Sequence, residues 1–163
     1  MGTRSLTIIN GKWEWKGKVT QKIETEEEEI AVMYRQMDGY PSGMGRDLAE
    51  YLSGATVVNG LSSDQHGLIF NGAHCAAASI VAHFKEGAGS IYLHSAGSRD
   101  IGEEYRYYLW FQDGKPIRMM VCECEYHWKN DTSNNYTISE LTIFDGTPEE
   151  FMEWLEKENE DGS

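Results

Sequence analysis

Five histidines and three cysteines supply the residue types that bind metals or attack substrates: His66, His74, Cys75, His83, His94, Cys122, Cys124 and His127. Their spacing argues against a metal centre. Cys122-x-Cys124 is one residue short of C-x-x-C and has no second pair to complete four ligands. His74 and His83 fall on opposite sides of an ideal helix. Cys75, with His74 or His94 as a base, has the parts of a nucleophile, but no family-specific motif surrounds it, and a lone cysteine among alanines reads as a small apolar residue. Glu123, Glu125 and His127 share one face of a strand, and Glu103-Glu104 open the preceding one. An acidic strip across this hairpin asks less as a binding surface for Arg or Lys than as an acid/base pair. The expectation is therefore no catalytic residue, no metal and no cofactor, and the balance is against an enzyme.

The chain is organised around residues 34–52, YRQMDGYPSGMGRDLAEYL. An apolar run, Ile30 to Tyr34, enters as a strand. Asp38-Gly39-Tyr40-Pro41-Ser42-Gly43 turns it, and Leu48, Tyr51 and Leu52 recur at helical spacing over 44–52. A helix start approached through glycines leaves N–H groups for an anion, with Arg46 as a charged donor. The pattern is neither a Walker A loop nor a dinucleotide fingerprint. The structural alternative is that the glycines only shape the turn. On the binding reading, Asp38, Tyr40, Gly43, Gly45, Arg46 and His94 are the ligand residues, and the tyrosines and arginines of 99–110 add ring faces and cations.

Tyr34, Asp38-Gly39-Tyr40-Pro41 and Gly43-x-Gly45 resemble a D-G-Y-P-x-G-x-G signature found in small phage and prophage proteins. Gln36 and Met37 stand where that group is expected to carry His or Ser. The resemblance implies a mobile-element origin and an intracellular setting, and it transfers no catalytic residue.

The formal charge is -13, from 27 acidic and 14 basic residues, which opposes direct binding to nucleic-acid phosphates. It suits a protein that meets a basic surface on another protein. An odd cysteine count and the lack of an apolar leader give the expectation of a reduced, cytoplasmic setting in a host cell, and no apolar run is long enough for a membrane.

At 163 residues one domain over 1–163 is expected. Residues 1–5 and 157–163 are expected to be loose, and 24–29 to form an acidic rim. Asn10-Gly11 predicts a hairpin between 6–9 and 12–15, and Asp113-Gly114-Lys115 another between 103–112 and 116–128. Strands are expected over 90–95 and 136–144, and a buried alanine-rich helix over 73–86. Thr147-Pro148-Glu149-Glu150 opens a terminal helix through a capping box. The expected class is α+β, a mainly antiparallel sheet of about six to seven strands packed on the alanine-rich helix, with two further short helices.

The function expected from these features is that of a non-enzymatic accessory protein of a phage or prophage. It would bind and block a host nucleic-acid-handling defence protein, such as a CRISPR effector, occupying its basic channel. The contact residues would be Glu26, Glu27, Glu28 and Glu29 with Glu123 and Glu125. The alternative is a nucleotide or other small anion held by the glycine turn and Arg46, as a sponge or a hydrolase. A homodimer through strand edges is a third, plainer role.

Overall fold

β1 (Ser5–Asn10) is buried along its whole length and lies at the middle of the sheet. It pairs antiparallel with β2 (Glu29–Arg35) on one side and parallel with β6 (Tyr105–Trp110) on the other. In this computed structural model, residues 2–11, 28–62, 65–129 and 136–161 are described. β5 (Ile91–His94) extends the sheet beyond β2, and β7 (Arg118–Trp128) and β8 (Tyr136–Gly146) extend it beyond β6. A separate parallel pair, β3 (Thr56–Val58) and β4 (Ile69–Asn71), lies between two helices in the chain: α1 (Arg46–Leu52) and α2 (Gly72–Phe84). The chain ends on α3 (Pro148–Asp161).

Strand alternation divides the side chains between two cores. On the helix-covered face, Ile9, Met33, Leu109, Met119 and Val121 meet Leu48 and Leu52 of α1, Ala76 and Ile80 of α2, and Phe151 of α3. On the other face Leu6, Ile8 and Val32 form a smaller cluster beneath Ile101 and Tyr108. Each fully buried aliphatic side chain here contributes about 1.5–3 kcal/mol. The second cluster is roofed by residues 95–104, which carry the chain from the β5 edge across the sheet to β6. That crossover makes β1 and β6 parallel.

The class is α+β, with three α-helices among the described residues, and it differs from the expectation in several respects. The large sheet is mixed, because β1 and β6 run parallel. Both edges of β1 are taken, by β2 and β6, and Gly11 N–H still bonds Glu28 O at 2.7 Å, so residues 6–9 have no free edge for the expected hairpin strand. Residues 12–15 lie outside the described residues. The alanine-rich helix buries Ala76, Ala77 and Ile80, while Ala78 and Ala82 face outward, since the sheet covers only one of its sides. Asn71 does not cap α2; its Oδ1 accepts from Gly60 N–H at 2.8 Å and ties down the loop before it. β1 begins at Ser5, fully buried, and α3 runs on to Asp161 through residues expected to fray.

The β6–β7 hairpin forms around Asp113-Gly114-Lys115. The capping box forms as well: Thr147 N–H reaches Glu150 Oε1 at 2.9 Å, and Glu150 N–H reaches Thr147 Oγ1 at 3.2 Å. Among the described residues no helix is long and apolar enough to cross a membrane.

Candidate functional site

The glycine turn is filled by its own packing. Pro41–Gly45 forms a single wide π turn before α1. Its N–H groups are engaged, Gly43 to Tyr40 O at 2.9 Å and Met44 to Asp38 O at 2.8 Å. A Cβ on Gly43 would stand 2.3 Å from Asp38 O, and one on Gly45 would stand 2.7 Å from the Phe151 ring. Gly39 leaves little more room, 2.8 Å from Ser5 Cβ. Close approach therefore accounts for all three glycines. Asp38 adopts φ 56° and accepts a hydrogen bond from Tyr40 Oη at 3.2 Å, which raises the Tyr40 pKa. Arg46 opens the helix. His94 lies on β5 beside Val32, edge-on to Tyr34 at 5.9 Å, on the sheet face away from the helices. Of the six anion candidates, the structure groups Asp38, Tyr40, Gly43, Gly45 and Arg46 along one turn and leaves His94 apart.

The expected acidic rim divides differently. Glu26 and Glu27 lie outside the described residues. Glu28 is exposed, 4.0 Å from His74 Nε2. Glu29 is not a solvent rim. Arg99 clasps it with two bonds, at 2.6 and 3.1 Å, and Gly97 N–H also donates to it, which anchors the 95–104 crossover to β2. Burial alone would raise the Glu29 pKa, but these donors and the Arg99 charge hold it below the usual carboxylate value.

Glu103 likewise leaves the expected acidic strip. It is fully buried and accepts from Asp100 N–H at 3.0 Å, Ile101 N–H at 2.7 Å and Arg106 Nε at 2.8 Å. Arg106 also donates to Glu140, which Tyr108 Oη contacts too. Cys122 and Cys124 flank this network as free thiols, and burial pushes Cys124 up to about 12. Both are poor nucleophiles in that state. Among the described residues no three His, Cys, Asp or Glu side chains gather as a metal site would require.

A groove of about 660 Å³ lies at the start of β6, where β7 continues past its partner. Its walls hold Tyr40 from the glycine turn, Tyr105 from β6, Tyr126 and Trp128 from β7, and Tyr136 from β8. Glu104 and Glu123 add two carboxylates, and Arg4 one cation. The rings are held in place. Tyr126 Oη donates to Glu103 O, Tyr136 Oη donates to Asp100 Oδ1 at 2.8 Å, and the Tyr136 ring centroid is 5.5 Å from Tyr126 and 4.8 Å from Trp128. Trp128 keeps 62% of its surface exposed at the mouth. Among the described residues neither Glu104 nor Glu123 takes part in an ion pair; Glu125, also exposed, lies 3.9 Å from His127.

A second hollow, of about 710 Å³, sits between α1 and α2. Its chemistry is largely satisfied internally: Arg35 pairs with Asp47 at 2.8 Å, and Tyr51 stacks on His83 with centroids 3.9 Å apart. The first groove differs in pairing fixed aromatic faces with carboxylates open to a cation.

Sequence reasoning had assigned Tyr40 and Tyr105 to an anionic ligand, and Glu104 and Glu123 to an acidic strip for another protein. It missed Tyr126, Trp128 and Tyr136 as a set. The signal present was the shared parity of Tyr126 and Trp128 with the next strand opening on Tyr136. Comparison with family models, with curated proteins and with solved structures gives no match for this chain.

Proposed function

We propose that this protein acts by binding, and that its groove at the start of β6 receives cationic side chains from the basic surface of another protein. The observation that carries this reading is the convergence of Glu104 and Glu123, without ion-pair partners among the described residues, with held tyrosine and tryptophan rings in one hollow. Carboxylates draw a Lys or Arg head group, and ring faces favour it once it is partly desolvated. The charge of -13 steers such a partner in and repels nucleic acid. The resemblance of the 34–45 stretch to phage and prophage proteins supports a host target, and a nucleic-acid-handling defence protein such as a CRISPR effector has the basic channel this surface would occlude.

The test is titration with an arginine-rich peptide. The Glu104→Lys/Glu123→Lys double variant should lose at least about tenfold in affinity, whereas Glu149→Lys on α3 should change little. Equal binding by the double variant would remove the groove from the reading. A nucleotide or other anion at the glycine turn and Arg46 is the competing proposal; a rise in melting temperature with nucleotides, absent with cationic peptide, would favour it.

A further inference from the structure

We infer that the groove's occupant is an extended basic segment that adds to the sheet as a strand along β7, an inference that rests on the cation-binding reading above. The β6–β7 ladder ends at the Tyr105–Glu123 pair, while β7 runs on to Trp128, paired among the described residues only with β8. Cys124 N–H makes the last bond on the β6 side, to Glu104 O at 2.8 Å. By strand alternation the backbone N–H and C=O groups of Tyr126 and Trp128 face that same side.

The groove lies along this edge. Glu123 belongs to one face of β7, and Tyr126 and Trp128 to the other, yet all three line the same hollow. A hollow lined from both faces of β7 reaches across the strand's edge, and on the β6 side that edge lies open where a longer β6 would run. An incoming strand would find main-chain partners in the plane, Glu123 and Glu125 on one side and the rings of Tyr126 and Trp128 on the other. Its alternate residues would then be cationic. A second copy of this chain is the poorer occupant, because it would bring the same carboxylates against Glu104, Glu123 and Glu125.

The experiment uses the full chain and an acetylated, amidated hexapeptide that alternates lysine with threonine, with affinity measured by calorimetry and amide exchange by NMR. Two N-methylated versions, one blocked at the lysine amides and one at the threonine amides, separate the edge-facing from the outward-facing backbone. Strand addition requires that Tyr126 and Trp128 amides exchange at least about tenfold more slowly with peptide, and that one methylated version binds at least about tenfold more weakly than the other. Tight binding by both versions, with no added protection, would mean recognition by side chains alone; this inference would fall while cation binding stood. No binding by any lysine peptide would overturn both. A dimer in light scattering whose Tyr126 and Trp128 amides are protected without peptide would assign the edge to a second copy and overturn the inference.

Discussion

The hydroxyl of Tyr107, buried in the middle of the sheet's helix-covered face, donates to the carbonyl of Gly39 at 2.6 Å. This bond joins the strand next to β1 to the glycine turn, and Gly39 N–H reaches Thr3 O at 2.9 Å from the other side. Tyr107→Phe leaves that buried carbonyl unpaired and should cost about 1–3 kcal/mol. Urea unfolding should show a lower midpoint with an unchanged slope.

Glu103 is a fully buried carboxylate paired with the buried Arg106. Its carboxylate closes the 100–103 turn and neutralises Arg106, so Glu103→Ala leaves a buried guanidinium with Glu140 as its remaining partner. The expected loss is about 3–5 kcal/mol. Glu103→Gln keeps hydrogen-bonding capacity and should lose less. Denaturant titration of both variants provides the ranking, and an alanine variant as stable as the parent would remove the network from the account of stability.

Acid should weaken this fold through Glu29 and Glu103. Burial opposes ionisation of each, but the hydrogen bonds and the paired arginine outweigh it, so both folded-state pKa values lie below the ordinary 4.5. The unfolded state then binds more protons as pH falls. The contribution is fully present above 4.5 and is lost as pH drops through the folded values. Midpoints measured from pH 7 down to about 3 should fall more steeply in the parent than in Glu29→Gln.

Gly43→Ala tests whether the glycine turn is packing or binding. Its Cβ would stand 2.3 Å from the Asp38 carbonyl oxygen, so the turn must shift, at a cost of about 1–3 kcal/mol. Melting temperature should fall by several degrees, with the affinity for the arginine-rich peptide falling far less than in the Glu104→Lys/Glu123→Lys variant. A large loss of phosphate affinity in the same variant would point back to the anion reading.

Local signals were legible wherever a few neighbouring residues settle the outcome. The Thr147/Glu150 capping box is closed by bonds within three positions and formed as the sequence implied, and the hairpin around Asp113-Gly114-Lys115 formed with strands at 105–110 and 118–128, shorter than the expected 103–112 and 116–128. Asn10-Gly11 carries an equally local signal, but β2 and β6 occupy both edges of β1, and long-range pairing overrode it. Glu29 read as a solvent-facing acid because its partner Arg99 stands 70 positions away in the chain, and Glu103 because its closeness to Arg106 does not by itself say that the crossover buries the pair.

The sequence alone determined the α+β class, the face each residue of β6 and β7 presents and the acidic character of any surface, because periodicity and charge are properties of the chain itself. Tertiary structure decided that β1 and β6 run parallel and that β6 starts only at Tyr105, opposite Glu123, while β7 runs on past it to Trp128. It also gathered Tyr40, Tyr105, Glu123, Trp128 and Tyr136 around one groove. Those outcomes depend on which strand edges meet across many residues of chain, and that is fixed only when both cores pack at once.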